Sequence, residues 1–303
     1  MPESNMRGLY PILVTPFDDD YQVDEQSLRT LVDYQIEGGA HGLGVANGSE
    51  VLKLTEPERA LVTRVIVEQA KGRVPVVINT SGSGTQTALH YSKIAEENGA
   101  DALMLTPPVP MGMGGGASPA GVREFFRAIS AAVSVPIFIQ SAGSMPVSAE
   151  LARQIAIETE HVRYIKEEYR PAPSRIAEAV KVAGDQLTVF GGVGGHYFIQ
   201  EMRRGSQGTM PGCSQPEALR QMWDLYHAGD IASAREVHDK IMRLLSTTGL
   251  LNDGFFHVHK ELLCQRGVIR TANIRPPAHP WPDDEIVRGE VQEAIDAYLA
   301  WYP

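Results

Sequence analysis

Eight short apolar runs, separated by amphipathic segments, constrain the fold of this 303-residue chain more than any other feature. Runs of this length bounded by turn residues are typical of strands buried on both faces of a sheet. The sequence therefore predicts eight buried β-strands. They are LYPILV (9–14), HGLGVA (41–46), VPVVIN (74–79), DALMLT (101–106), VPIFIQ (135–140), VRYIK (162–166), LTVFG (187–191) and GTMPG (208–212).

The segments between these runs carry helix signals. Between the first two runs, apolar residues recur at helical spacing, Asp24 can cap the start and Gly38 the end. After the second run, Thr55 and Glu58 have the spacing of a capping box, and that helix is expected to close at Gly72. The chain therefore alternates strand and helix.

This alternation predicts a parallel sheet, because strands that run in one direction need a crossover, and right-handed crossovers place helices outside. A doubly wound nucleotide-binding sheet would carry a glycine-rich turn after its first strand, but that turn reads TPFDDDYQ here. We therefore predict an α/β fold of the (β/α)8 TIM-barrel type. Residues 1–212 are expected to form the barrel. Residues 213–303 are expected to add its last helix and a helical C-terminal extension, within a single structural unit.

Charge and cysteine content exclude several classes of partner. The chain has 27 basic and 37 acidic side chains, a net charge of −10, without a long run of like charge. This disfavours nucleic acid and anionic membranes as partners. The two cysteines have neither metal-site nor disulfide spacing, which indicates a reducing compartment. The N-terminus lacks a basic segment followed by an apolar run, and no stretch reaches the roughly 18 apolar residues of a membrane span. These features predict a cytoplasmic protein.

Lys166 ends the sixth predicted strand and is followed by Glu167 and Glu168. The active sites of (β/α)8 barrels lie at the C-terminal ends of the strands. A lysine in this partly desolvated mouth favours the neutral amine, which attacks ketones and aldehydes. Alternatively, Lys166 marks where the strand meets water, or a carboxylate such as Glu168 holds it in an ion pair. The position of Lys166 alone leaves all three interpretations open.

Five motifs in unbroken order resemble the dihydrodipicolinate synthase/N-acetylneuraminate lyase family. They are PILVTPF at the first strand, GSEVLKLTEPER after the second, ENGADALMLTPP at the fourth, VPIFIQ at the fifth and YIKE at the sixth. The resemblance extends from about Gly8 to about Leu245. It implies a (β/α)8 lyase that binds a 2-oxo acid as an imine on Lys166, without another cofactor or a metal. It also implies a homotetramer, in which Trp223, Leu225 and Leu244 could pack against a neighbour or only against their own barrel.

The second-strand motif departs from the family pattern. The family usually has Gly-Thr-Thr-Gly-Glu or Gly-Ser-Thr-Gly-Glu there, and its hydroxyls and amides bind the carboxylate of the 2-oxo acid. This chain has ANGSE, so the resemblance implies an altered carboxylate clamp made of Asn47, Gly48 and Ser49. The alternative is an ordinary turn after a strand.

The fifth strand lacks the tyrosine that serves the family as a proton relay. Gln140 stands in its place, and a carboxamide cannot shuttle protons as a phenol does. The supporting pair of tyrosines after the fourth strand is replaced by Pro108-Val109. These replacements disfavour a role in lysine biosynthesis.

Gln140, the Lys-x-Glu of the sixth strand and a late AHPWP are most similar to the sugar-acid dehydratase branch, in particular the L-2-keto-3-deoxyarabonate dehydratases. In that chemistry the imine acidifies the C3 protons, a base removes one, and the C4 hydroxyl leaves after protonation. Glu168 is the predicted base. The alternatives are that Glu168 only orients Lys166, or that Lys166 or a bound water carries the proton.

Two further residues are predicted to contact the substrate. Gly192, in GGVGG after the seventh strand, corresponds to backbone that the family places beside the imine, and Met210 lies in the eighth strand. GGVGG is not a phosphate loop, because the Lys-Ser/Thr ending is missing.

Three other segments are expected to serve structure rather than chemistry. His257 and His259 are interpreted as a surface or core pair rather than metal ligands. The hydroxyls of residues 80–85 are expected to cap the next helix. MGMGGGASP (111–119) is predicted to be a flexible loop at the active site.

Three functions remain open from the sequence. The leading one is a dehydratase of a 2-keto-3-deoxy sugar acid. The second is a pyruvate-dependent aldolase of the same family, including dihydrodipicolinate synthase-like activity. The third is a non-catalytic sensor of 2-oxo acids, which the intact Lys166 disfavours because a sensor does not need a nucleophilic amine.

Overall fold

Eight parallel strands form a nearly closed barrel in the computed structural model, which describes residues 6–108, 117–143 and 145–303. β1 pairs with β8, and the order then continues through β7, β6, β5, β4 and β3 to β2. Ile12 forms single bridges to Gly44 and Gly212 and so connects the two ends. The predicted barrel is confirmed. The strands are β1 (Gly8–Leu9), β2 (Leu43–Val45), β3 (Val76–Asn79), β4 (Ala102–Leu105), β5 (Ile137–Ser141), β6 (Val162–Glu167), β7 (Thr188–Gly194) and β8 (Gly208–Pro211).

The helices alternate with the strands and then continue beyond them. The predicted N-caps hold: Asp24 accepts the N–H of Ser27 at 3.2 Å, and Glu58 accepts the N–H of Thr55 at 2.8 Å. Gly38 is the C-cap of α1 as predicted, but the C-cap of α2 is Lys71 in the left-handed conformation and not Gly72. Among the described residues, eight α-helices accompany the barrel, and α9, α10 and α11 follow it. The helices are α1 (Glu25–Glu37), α2 (Glu56–Ala70), α3 (Thr85–Glu97), α4 (Pro119–Ser130), α5 (Ala149–Glu158), α6 (Ala172–Ala183), α7 (Phe198–Met202), α8 (Pro216–His227), α9 (Ile231–Thr247), α10 (Gly254–Gln265) and α11 (Glu285–Trp301).

Two further local predictions were wrong. The first apolar run forms a strand only at Gly8–Leu9, since Pro11 has no N–H to donate and the chain beyond it pairs through Ile12 alone. The hydroxyls of residues 80–85 do not cap α3, whose N-cap is Gly84. Ser81 instead accepts the N–H of Thr106 at 2.9 Å, which ties the end of β3 to the end of β4. Of the predicted loop at 111–119, residues 111–116 lie outside the described residues.

Aromatic and sulfur-containing side chains fill the barrel interior below the mouth. Phe138 stacks on Tyr164 with 4.4 Å between ring centroids, and Phe190 packs edge-on against both rings. Met210 completes this interior cluster from β8. Burying each large apolar side chain contributes about 1.5–3 kcal/mol. This packed floor closes the barrel beneath the residues at the C-terminal ends of the strands.

The C-terminal helices pack on the outside of the barrel and reach its mouth. Leu244 is fully buried in a cluster with residues of α8, α9 and α11, so it packs within its own chain. Trp223 and Leu225 pack against the same cluster but remain partly exposed. In the described part of the chain, no helix combines the length and the apolar character needed to cross a bilayer.

Candidate active site

Lys166 is the penultimate residue of β6 and lies at the C-terminal mouth of the barrel, as predicted. Its neighbours in the sheet are Gln140 on β5 and Phe190 on β7. The side chain is almost fully buried, and its Nζ lies 3.0 Å from Oε1 of Glu168. The sequence left solvation, ion pairing and catalysis open for this residue. Burial excludes the interpretation that Lys166 only marks where the strand meets water.

Glu168 shares the inward face with Lys166 because the β-ladder continues past the last residue of β6. The N–H of Glu168 donates to the carbonyl of Ser141 at 2.9 Å, which keeps the extended alternation. Its Oε1 also accepts the N–H of Val193 at 3.1 Å, and its Oε2 accepts Nε2 of Gln140 at 2.9 Å. The carboxylate is thus held beside Lys166 by Gln140 on β5 and by Val193 on β7.

Gln140 is buried and occupies the position where the family's relay tyrosine is expected. Its amide is fixed on both sides: Nδ2 of Asn79 donates to its Oε1 at 3.4 Å, and its own Nε2 donates to Glu168. A carboxamide held in this way orients a carboxylate. It has no hydroxyl with which to pass a proton.

Gly192 lies close to Lys166 and Glu168. A Cβ at this position would lie 2.6 Å from Oε1 of Glu168 and 2.8 Å from Cε of Lys166. The residue also donates its N–H to Glu201 at 3.4 Å. Gly192 therefore lies beside Lys166 and Glu168, and its contact with the substrate stays a prediction.

Gly192→Ala is expected to lower activity on the order of 10²-fold, since displacing reactive groups by about 1 Å can cost that much. The fold should survive because the contacted atoms belong to side chains that can shift. Steady-state kinetics together with thermal unfolding measures both effects. The control is Gly289→Ala, where an added Cβ meets open space. Wild-type activity in Gly192→Ala would show that the close packing has no role in catalysis.

The turn after β2 contains the three residues of the predicted carboxylate clamp, and two of them line the cavity at the barrel mouth. Asn47 and Gly48 line the cavity, whereas Ser49 is buried and its Oγ accepts the N–H of Ala46 at 3.1 Å. The Ser49 hydroxyl therefore stabilises the turn itself. Glu50 follows in the left-handed conformation, and its Oε1 lies 2.5 Å from Nζ of the buried Lys260 on α10. This ion pair anchors the turn to the C-terminal extension.

The cavity above Lys166 has a volume of about 330 Å³. Small-molecule sites typically measure about 300–1,000 Å³. All the predicted catalytic residues line it, together with Asn47, Gly48 and Met210. The sequence did not single out Ile12, His196 or Phe255, which also line the cavity. Phe255 comes from α10, and its ring lies against Gly48.

A second cavity of about 480 Å³ adjoins the first and shares Asn47 and Ala142 with it. Arg59, Ser81 and Thr106 are among the residues that line it. The two cavities therefore adjoin near the ends of β3 and β4.

Glu201 is a second carboxyl group near Lys166, in addition to Glu168, and it was not predicted. It is fully buried on α7, behind β7, where the absence of a side chain at Gly191 makes room for it. Burial raises the pKa of Glu201 to about 8, and the charge of Glu168 acts in the same direction. Burial therefore favours the neutral form of Glu201, and that form adds no negative charge beside Lys166.

His257 and His259 lie on α10 and are both buried, which agrees with the interpretation as a core pair. Nε2 of His257 contacts the carbonyl of His279 at 3.0 Å, and Nδ1 of His259 contacts Oγ of Ser214 at 2.7 Å. Within residues 6–108, 117–143 and 145–303, no cluster of three or more acidic, histidine or cysteine side chains could hold a metal ion.

Comparison with known protein families gives the same family as the sequence motifs. Residues 5–297 match the model of the dihydrodipicolinate synthetase family. The chain belongs to this family. The resemblance noted in the sequence is thereby confirmed, and the chain is a lyase of the dihydrodipicolinate synthetase family.

Relatives within the family have two different activities. The chain is 30% identical over 285 residues to an L-2-keto-3-deoxyarabonate dehydratase of Azospirillum brasilense, covering 91% of this chain and 89% of the relative. It is 31% identical over 245 residues to a 4-hydroxy-tetrahydrodipicolinate synthase of Maridesulfovibrio salexigens, covering 78% and 81%. The fold matches the solved 4-hydroxy-tetrahydrodipicolinate synthase of Methylacidiphilum fumariolicum with a TM-score of 0.88 at 21% identity, covering 98% of this chain and 97% of that one. Family membership alone therefore does not fix the reaction.

Proposed function

We propose that this lyase dehydrates a 2-keto-3-deoxy sugar acid of the L-2-keto-3-deoxyarabonate type through an imine on Lys166. The observation that carries the proposal is the contact between Lys166 and Glu168 in a cavity where Gln140 replaces a phenolic relay. Similarity to the Azospirillum brasilense dehydratase over nearly the whole chain supports the same assignment.

The chemistry begins at Lys166. Its amine attacks the C2 ketone, and loss of water gives an imine that acidifies the C3 protons. Asn47 and the backbone of Gly48, which line the same cavity, bind the substrate carboxylate. Glu168, held beside Lys166 by Gln140 and Val193, removes one C3 proton, and the C4 hydroxyl then leaves as water.

Aldol cleavage needs a group that gains or loses a proton at the aldehyde oxygen. Gln140 cannot serve, because its carboxamide neither donates a proton to a leaving group nor accepts one from it. Losing a positioned proton-transfer group costs about 10²- to 10⁴-fold in rate, so dehydration dominates while Glu168 serves C3.

Product analysis tests this proposal. With a five-carbon 2-keto-3-deoxy acid, the main product should be 2-oxoglutarate semialdehyde, detected with a semialdehyde dehydrogenase, and pyruvate should be minor. Stoichiometric pyruvate detected with lactate dehydrogenase, without semialdehyde, would instead favour the aldolase. If no 2-oxo acid in a panel is turned over or forms an imine, the result would favour the non-catalytic sensor.

Homotetramer formation and a cytoplasmic location remain predictions. Members of the family act on small molecules, and the acidic chain has no need of a polymeric partner for this reaction. Because Leu244 is buried in its own chain, only Trp223 and Leu225 of the predicted contact residues are available to a neighbouring subunit.

A further inference from the structure

His196 is the third titratable side chain that lines the catalytic cavity, beside Lys166 and Glu168. Dehydration through an imine needs three chemical roles: an amine, a base at C3 and an acid for the departing C4 hydroxyl. Lys166 cannot supply the acid, because its nitrogen is bound to C2 while the hydroxyl leaves. Glu168 cannot supply it either while it removes the C3 proton.

The ring of His196 is oriented by one backbone contact. Its Nδ1 lies 2.7 Å from the carbonyl of Val193, and because a carbonyl oxygen only accepts, Nδ1 carries a hydrogen. Among the contacts of the described residues, none involves Nε2 of His196. The ring can therefore donate a proton from Nε2 without losing its anchor.

Val193 connects His196 to Glu168. Its N–H donates to Oε1 of Glu168 at 3.1 Å, while its carbonyl accepts from His196. Val193 has φ of 47°, in the left-handed region that a β-branched residue rarely adopts, and Gly194 and Gly195 continue with positive φ. Strained backbone of this kind persists where a site over-determines it. Here the strained backbone of Val193 holds the carboxylate of Glu168 and the imidazole of His196 beside the same cavity.

The neighbouring histidines do not compete for this role. His238 on α9 contacts the carbonyl of Gly195, and His259 on α10 contacts Ser214. Burial lowers the pKa of His238 and lowers that of His259 to about 3, so both are neutral at pH 7. Neither lines the catalytic cavity.

We infer that His196 is the catalytic acid that protonates the departing C4 hydroxyl, an assignment that rests on the proposed dehydration. Glu168 takes the C3 proton, the C4–O bond breaks, and the imidazolium proton of His196 leaves with the oxygen as water. Neutral His196 then removes a C5 proton, which restores the imidazolium. Glu168 returns its proton to C3, and hydrolysis frees Lys166 and an enol that becomes the aldehyde. His196 and Glu168 thus return to the protonation states in which they started.

His196→Asn tests this inference, because the asparagine amide can still donate to the carbonyl of Val193 but has no acid at the position of Nε2. Dehydration of a five-carbon 2-keto-3-deoxy acid should fall about 10²- to 10⁴-fold. Exchange of the C3 protons of pyruvate in D₂O, followed by NMR, should stay within about threefold of the wild type, since it needs only Lys166 and a base. His227→Asn is the matched control, because His227 makes the same kind of contact with the carbonyl of Trp223 on the exposed face of α8.

Each contrary outcome identifies what has failed. Dehydration near the wild-type rate in His196→Asn would overturn the acid role. Parallel loss of dehydration and of pyruvate exchange would overturn it too, and would assign His196 to positioning Glu168 through Val193. A wild-type enzyme that exchanges pyruvate protons but does not dehydrate the sugar acid would refute the proposed function, and the acid role with it.

Discussion

Lys166→Met is expected to lower turnover by about 10⁴-fold or more, in line with the loss of other covalent nucleophiles. Without the amine no imine forms, so the C3 protons of the substrate are no longer acidified and the enzyme has no alternative route. The side chain of methionine is similar in length and apolar, which suits a site that is almost fully buried. Steady-state kinetics with the five-carbon 2-keto-3-deoxy acid measures the loss.

Folding of the Lys166→Met variant should be preserved, because Glu168 keeps its hydrogen bonds from Gln140 and Val193. Thermal unfolding checks this point. The control is Lys181→Met on the exposed face of α6, which should retain full activity. If Lys166→Met remained active within about tenfold of the wild type, the covalent mechanism would be wrong.

Glu168→Gln should give the second-largest effect, a loss of about 10²- to 10⁴-fold in dehydration. Glutamine keeps the size of the side chain and one acceptor oxygen, but it cannot take a proton from C3. Exchange of the pyruvate C3 protons should fall together with dehydration. This pattern distinguishes the role of Glu168 from that of His196, since His196→Asn is expected to retain exchange of the pyruvate C3 protons.

Glu167→Gln is the matched control for the base. Glu167 is adjacent in sequence and buried, but it faces away from the cavity, where Arg175 and Ser141 bind it. The Glu167 variant should lose stability rather than the capacity for proton exchange. If Glu168→Gln exchanged pyruvate protons at the wild-type rate, another group, such as a bound water, would be the base.

The sequence predicted the parts of the fold and site that depend on local pattern. Apolar runs and capping residues located the strands and helices, and the end of the sixth strand located Lys166. The pairing of Glu168 with Lys166 was also predictable, because strand alternation places residues two apart on one face when the ladder continues. Ser49 shows the limit of such reasoning, since nothing in ANGSE indicates that its hydroxyl bonds back to Ala46.

Residues distant in sequence were harder to predict. Phe255 and Lys260 lie on α10, which reaches the turn after β2 only through tertiary packing. His196 directly follows GGVGG, so its position next to strand seven was visible in the sequence. Its orientation was not, because it depends on the left-handed backbone of Val193, which a β-branched residue gives no reason to expect.

Trapping the covalent intermediate tests the central claim most directly. The enzyme is mixed with a five-carbon 2-keto-3-deoxy acid, reduced with borohydride and examined by mass spectrometry of the intact protein and of its peptides. The mechanism predicts a five-carbon adduct on the peptide that contains Lys166, including a species lighter than the substrate adduct by one water. A three-carbon pyruvyl adduct as the main species, or labelling that persists in Lys166→Met, would contradict dehydration through an imine on Lys166.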